Sequence, residues 1–314
     1  MPELYPLLMT PQFHPRVWGS RSLAPIYSRQ FDEPIGEAWL TGDDCQVANG
    51  ALAGQTLGDL CRRFGTALTG EAAPLKDRFP LLIKFLFPRE KLSVQVHPDD
   101  AMARRLGQPC GKTECWYVLA AEPGAQVGVG LKPGVTKEQF ARAIKNGSAE
   151  KMLNWIDIQP GELIYVEAGT VHAIGPGSIL VETQQNSDIT FRLYDYDRPR
   201  ELHLEQGLEA MTAKAKHSGK VASRTAKVEA NLINGDCFTV DRFEVSEKRA
   251  FHMPRRSCEI FVALEGCGVV QAGSGPEVTF ARGEAMVVPA VVVEFSVRPQ
   301  WSLQCLRMSL PEGG

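Results

Sequence analysis

Two imidazoles, a carboxylate and an amide carry the chemistry of this chain: Gln95 and His97 in KLSVQVHP, Glu114 in GKTECWYV and His172 in EAGTVHAIG. Each side chain can ligate a metal, and each lies in a run of β-branched and aromatic residues that favours a strand. Side chains on a strand repeat every two residues, so Gln95 and His97 share one face. Burying a charge or an imidazole among apolar neighbours is costly unless it is paired or bound to metal. As a set, the four residues form a cradle for one divalent ion with a position left for water or substrate, the pattern of a catalytic zinc site.

Such a cradle needs strands to hold it. Strands are expected over 37–42, 81–87, 91–97, 114–121, 162–167, 178–185 and 188–195. Helices are expected over 56–64, 99–107, 136–144 and 203–211, the first and third starting at the capping residues Thr56 and Thr136. Residues 212–230 are polar, basic and poor in large apolar side chains, and read as a connector. Beyond it come short strands at the spacing of an antiparallel sandwich or jelly roll. GELIYVEAGTVHAIG (161–175) aligns with GEAMVVPAVVVEFSV (283–297), which puts Glu294 where His172 stands. The expected organisation is therefore a metal-bearing barrel with helical insertions over 1–211, the connector, and a second barrel over 231–314 without metal ligands.

Composition narrows the function. The 314 residues are 44% hydrophobic with a formal net charge of -3, which suits a well-buried core and gives no basic field for nucleic acid. The N-terminus MPELYPLLMTPQF has no basic region before an apolar core and is broken by prolines, so it does not read as a signal peptide. The apolar stretch AMVVPAVVV is far shorter than the roughly 20 residues that span a bilayer. A cytoplasmic protein with no membrane partner is expected. Eight cysteines without a CxxC pair read as reduced thiols, and Cys115 should face away from Glu114.

KFLFPREKLSVQVHPDD, GKTECWYVL, EAGTVHAIG and QQNSDITFRLYDYDR closely resemble blocks of the type I mannose-6-phosphate isomerases of the cupin superfamily, particularly the shorter bacterial form. The resemblance runs from about Trp18 to Arg198 and recurs more weakly towards the C-terminus. It implies a mainly β fold of two cupin-type jelly-roll barrels with a few short helices, one Zn2+ per chain, a small-molecule sugar phosphate as partner, and a monomer or homodimer. It implies that Gln95, His97, Glu114 and His172 are the zinc ligands and that Arg192 is the catalytic arginine facing the metal. It further implies that Lys84 and Ser93 lie near the substrate phosphate, that Lys112 is a pocket lysine, and that Glu182 and Asp188 line the same pocket. Two positions depart from the family: Ser20 follows Trp18-Gly19 where a second glycine is usual, and Ile174 stands where larger members carry a tyrosine.

These residue types suit the implied reaction. Interconverting mannose 6-phosphate and fructose 6-phosphate moves a proton between C1 and C2 through a cis-enediol and builds negative charge on oxygen, which a metal and a permanent guanidinium can stabilise. Glu182, Lys112 and a zinc-bound water all fit the proton carrier, with Glu182 favoured. The same ligands are compatible with another metal-dependent sugar-phosphate isomerase, with a cupin oxygenase, or with a non-catalytic sugar-phosphate binding protein. Segments 122–135 and 145–160 are expected to shape the pocket, the charge run 195–201 to be a solvated strand exit, and Lys84, in the plainer view, to be a solvent-facing edge residue.

Overall fold

Alternating burial along the chain resolves into three antiparallel sheets and five short helices in this computed structural model, which describes residues 4–212, 217–222, 228–253 and 255–311. The first elements are β1 (Leu7–Leu8), β2 (Gln12–Ser22), β3 (Gln30–Trp39), α1 (Leu57–Phe64), α2 (Thr66–Thr69), β4 (Leu81–Leu86), β5 (Val94–Val96) and α3 (Asp100–Arg105). There follow β6 (Glu114–Ala121), β7 (Gln126–Leu131), α4 (Lys137–Lys145), β8 (Leu153–Asp157), β9 (Leu163–Val166), β10 (His172–Ile174), β11 (Ser178–Gln185), β12 (Phe191–Tyr194) and α5 (Leu204–Ala210). The C-terminal elements are β13 (Gly219–Ala222), β14 (Glu229–Asn234), β15 (Thr239–Val245), β16 (Arg249–His252), β17 (Glu259–Ala272), β18 (Val278–Ala281), β19 (Ala285–Val288) and β20 (Glu294–Ser309).

A seven-stranded sheet runs β13-β9-β6-β11-β4-β3-β2, a five-stranded sheet runs β12-β5-β10-β7-β8, and the C-terminal sheet runs β1-β19-β17-β20-β15-β14 with β16 on β20 and β18 on β17. Period two explains how they stack. On the seven-stranded sheet, Leu86, Trp116, Val118, Ile164 and Leu180 face Val127, Val129 and Ile174 of the five-stranded sheet. The intervening Phe85, Cys115, Tyr117, Tyr165 and Val181 point the other way, into a core shared with Ile260, Val262, Leu306 and Met308 of the C-terminal sheet. The five-stranded sheet in turn covers its outer residues Val94, Val96 and Phe191 with Met102 of α3 and Phe140 and Ile144 of α4. At roughly 1.5–3 kcal/mol for each fully buried apolar side chain, the shared core is what binds the C-terminal half to the rest.

The mainly β architecture with few short helices is as expected, although the strands form facing layers rather than closed barrels. Thr56 caps α1 by accepting from Asp59 N, and Thr136 caps α4 in a reciprocal capping box with Gln139. The internal echo is structural: Gly161 and Gly283 adopt φ of 90° and 87°. The glutamate after each glycine accepts from the backbone N–H three residues back, Glu162 from Gln159 and Glu284 from Ala281, both at 2.8 Å.

Three features lie outside the sequence expectation. Strands β7 and β8 lie within 122–135 and 145–160, where pocket-shaping loops were expected. Within 212–230, β13 joins the seven-stranded sheet beside β9, while 213–216 and 223–227 lie outside the described residues. At the N-terminus, β1 crosses to the C-terminal sheet, pairing Leu7 with Val287 and Leu8 with Met286.

Candidate active site

Strand register assembles the site. On the five-stranded sheet Gln95 lies directly between His172 of β10 and Arg192 of β12, so amide, imidazole and guanidinium form one cross-strand row. On the facing sheet Glu182 pairs with Lys84 on one side and Trp116 on the other, and Gln184 pairs with Glu114. His97 follows the end of β5, held where its carbonyl accepts from Gly169 N at 2.8 Å.

Between the two rows sits a His–Glu–His cluster: His97, Glu114 and His172, all buried, offer ligand atoms within 4.8 Å of one another. His97 Nε2 is 3.4 Å from Glu114 Oε2, and His172 Nε2 is 3.4 Å from Glu114 Oε1. Each ring's other nitrogen is taken by a backbone carbonyl, His97 Nδ1 by Ile189 O and His172 Nδ1 by Thr170 O, both at 2.9 Å. That outer contact fixes the tautomer and leaves Nε2 as the free lone pair, the usual support for a metal-binding imidazole. Burial drives the His97 pKa down to about 3 and lowers that of His172 as well, so both rings are neutral at pH 7. Burial alone would raise the Glu114 carboxyl, but Lys112 and the two imidazoles hold it well below the usual range. His97 Nε2 is buried with no hydrogen-bond partner among the described residues, and Glu114 Oε2 has the Lys112 ammonium at 3.1 Å but no aligned donor, a shortfall that a divalent ion would satisfy. Gln95 stands beside this cluster, its Nε2 3.2 Å from His172 Nε2 and its Oε1 accepting from Ser93 Oγ at 3.1 Å. Turning the amide over would present the oxygen to the ion, and the Ser93 hydroxyl, both donor and acceptor, suits either orientation.

In front of the cluster lies a cavity of about 400 Å³. Lys84, Ser93, Gln95, Lys112, Glu182, Asp188 and Arg192 line it, so every pocket residue anticipated from the sequence meets in one place. Lys84 is 3% exposed on an interior strand, which excludes the solvent-facing reading. The wall also contains Arg16, Trp18, Glu37, Thr190 and Arg200, which sequence reasoning left without a site role. No residue of 122–135 or 145–160 is among the lining, so those segments do not shape this pocket.

Charges alternate along the wall. Arg16 donates to both Glu37 oxygens at 3.1 and 3.0 Å; Lys84 lies 3.8 Å from Glu37 and 3.1 Å from Glu182; Lys112 lies 3.1 Å from Glu114 and 3.9 Å from Glu182. Burial raises the Glu182 carboxyl, reinforced by Glu114 and Glu37 and only partly offset by the two lysines. For Glu37 the balance is opposite: burial would raise it, but Lys84, Arg16 and the Trp39 Nε1–H bring its pKa down to about 2. A carboxyl lowered in the fold contributes stability that is complete above its unfolded pKa of about 4.5 and is lost as pH falls towards 2. Glu37→Gln is thus expected to remove about 3 kcal/mol at neutral pH and to flatten the loss between pH 4.5 and 2. Urea titration of metal-free protein across that range checks it.

The run 195–201 is not a solvated exit. Asp195, 2% exposed, accepts from Arg200 Nε and Nη2, both at 2.7 Å, and from Arg198 Nη1 at 3.3 Å. The turn that brings both arginines back places Tyr196 and Asp197 at φ of 55° and 60°, a left-handed pair of non-glycine residues of the strained kind found at functional sites. His203 braces the same strand: its backbone N–H donates to Arg192 O at 2.7 Å and its Nδ1 accepts from Arg192 N at 3.3 Å.

Facing β sheets with a buried His–Glu–His cluster at the end of a charged pocket define a cupin-type protein with a metal-binding centre. Residues 7–119 match the family described as phosphomannose isomerase type I, catalytic domain. The chain is 34% identical over 306 residues to mannose-6-phosphate isomerase ManA of Bacillus subtilis, covering 93% of this chain and 95% of that one. It is 33% identical over 310 residues to the probable mannose-6-phosphate isomerase GmuF of the same organism, covering 93% and 96%. The crystal structure of a mannose 6-phosphate isomerase from Bacillus subtilis superimposes with a TM-score of 0.85 at 30% identity over 98% of this chain and 99% of that one. The chain belongs to the type I mannose-6-phosphate isomerase family and is an enzyme of that family. Among the described residues no helix is long and apolar enough to cross a membrane.

Proposed function

We propose that the enzyme interconverts mannose 6-phosphate and fructose 6-phosphate through a cis-enediol, with one zinc ion held by His97, Glu114, His172 and Gln95. The observation that carries this reading is the pair of neutral imidazoles converging with Glu114 beside a cavity that also holds Arg192, Lys112 and Glu182. Bound there, zinc supplies a Lewis acid for the substrate oxygens at C1 and C2. Arg192, one strand from Gln95, provides a permanent positive charge against the negative charge that develops on those oxygens, and gives up no proton in doing so.

Glu182 is the proposed proton carrier between C1 and C2. Trp116 Nε1–H donates to its Oε2 at 3.1 Å, and Lys84 lies 3.1 Å from Oε1. Its raised pKa brings the carboxyl closer to the working pH of a general base than an exposed glutamate would be. Lys112 bridges the two acids and is assigned to holding Glu114 and Glu182 in register with the substrate. Lys84, Ser93 and Asp188 are assigned to substrate binding, while Trp18, Leu86, Leu92 and Ile174 give the cavity an apolar side that keeps water from the enediol.

A coupled assay of the purified, zinc-loaded protein tests the proposal. Turnover of mannose 6-phosphate is expected; folded, zinc-replete protein that leaves it unchanged rejects the reading.

A further inference from the structure

His97, Glu114 and His172 all lean on one turn. Residues 167–170, between β9 and β10, close on themselves: Thr170 N–H donates to Glu167 O at 3.0 Å, and Gly169 takes a φ of 85°, the left-handed place that a type II turn gives to glycine. Gly169 N–H donates to His97 O at 2.8 Å, and Thr170 O holds the Nδ1 of His172 at 2.9 Å. Ala168 N–H donates at 3.2 Å to the hydroxyl of Thr113, the residue before Glu114. A side chain at 169 would not fit, since its Cβ would stand 2.6 Å from Thr212 Cγ2 and 3.0 Å from Ala210 O. A shift of this turn therefore moves both imidazoles and disturbs the footing of the carboxylate between them.

Residues of the segment that reads as a connector hold the turn from outside. Thr212 N–H donates to Gly169 O at 3.0 Å, and His217 N–H to Glu167 Oε2 at 3.2 Å. Ser218 makes two bonds through one oxygen: its Oγ accepts from Glu167 N–H at 2.9 Å and shares a hydrogen bond with Thr170 Oγ1 at 2.8 Å. The first and last residues of the turn are thus tied to a single hydroxyl. Ser218 is itself set in place by β13, whose first residue, Gly219, pairs with Tyr165 of β9. Thr170 is 2% exposed, so removing the Ser218 hydroxyl leaves a buried group short of a bond. We propose that Ser218 is a positioning residue of the metal centre, acting through the 167–170 turn to keep His97 and His172 aimed at one ion. The outer contact of a metal-binding imidazole fixes its direction, and Ser218 fixes the backbone that makes that contact.

The proposal rests on the reading of His97, Glu114 and His172 as zinc ligands, and the test keeps the two apart. Zinc affinity of the full chain is measured by competition with a chromophoric chelator for the wild type, Ser218→Ala, Ser218→Thr, Thr170→Val and the double variant Ser218→Ala/Thr170→Val, with circular dichroism on each. Ser218→Ala is expected to weaken zinc by about 10-fold, the low end of the range for outer-shell partners, because it acts one contact further out. Ser218→Thr keeps the hydroxyl and is expected to hold zinc as the wild type does. Ser218→Cys, a weaker hydrogen-bonding group in the same place, serves where the alanine variant fails to fold, and a smaller loss in the same direction is expected. Because Ser218 acts through the turn that Thr170 closes, the double variant should lose less than the product of the two single losses. Wild-type zinc affinity in Ser218→Ala overturns the proposal, as do a threonine variant as weak as alanine and losses that multiply in the double variant. A wild type that holds no zinc removes the metal reading itself, and this inference with it.

Discussion

Alanine at position 172 is expected to strip the enzyme of its metal and of measurable turnover. His172 is fully buried, its Nδ1 is committed to Thr170 O, and its Nε2 faces Glu114 Oε1 at 3.4 Å. Without that ring, His97 and Glu114 remain as the strong ligands, and Lys112, 3.1 Å from Glu114, is left to neutralise the carboxylate alone. Losing an outer-shell support costs roughly 10- to 100-fold in metal affinity, so loss of a direct ligand should exceed that range. Elemental analysis after gel filtration, with a coupled assay and circular dichroism on the same sample, reads the result. A folded His172→Ala protein that keeps stoichiometric metal and its rate would show that the ion sits elsewhere. Chelation of the wild type should reproduce the loss, and zinc should restore activity.

Arg192→Ala is expected to lower kcat by about 10²- to 10³-fold, the usual cost of removing one pre-set donor aimed at developing charge. KM for mannose 6-phosphate should move by less than a few fold, because the charge that Arg192 meets exists mainly in the transition state. Its Nη1 donates to Glu201 O at 2.8 Å, which holds the plane of the guanidinium, so lysine should restore only part of the rate. Steady-state kinetics read the result as a loss of kcat at a nearly unchanged KM. A kcat within tenfold of the wild type would remove Arg192 from the reacting end of the pocket.

Much of this site was legible because its parts lie in long, regular runs. β6 and β11 were expected at 114–121 and 178–185, where the structure has them, since each is an eight-residue run rich in apolar, aromatic and β-branched side chains with no glycine or proline. Their strict alternation put Glu114 and Cys115 on opposite faces, and Cys115 indeed packs into the shared core. Elsewhere the pattern is blurred. β2 contains Pro15 and Gly19 and pairs with β3 through three register shifts, and β7 reads QVGVGL, with glycine where a strand would show side chains. Arg16 and Glu37 escaped because their pairing spans 21 residues and is made by that irregular β2–β3 hairpin. Asp195 and Arg200 escaped for another reason: a run of alternating charges looks the same whether solvated or folded inward. The turn at Tyr196–Asp197 decides between them, and no residue type there announces a left-handed backbone.

The seven-stranded sheet is a party wall. Lys84, Glu114 and Glu182 stand on its pocket side, while their immediate neighbours Phe85, Cys115 and Val181 bear on Ile260, Val262 and Met308 of the C-terminal sheet. Close-packed interiors pass displacement on rather than absorbing it. The C-terminal half therefore acts as a buttress for the pocket, and β1 pins the first strand of the chain into it like a tenon. Cutting the chain near residue 211 would bare one whole side of the masonry that carries the pocket, so neither half is free to vary as a separate module.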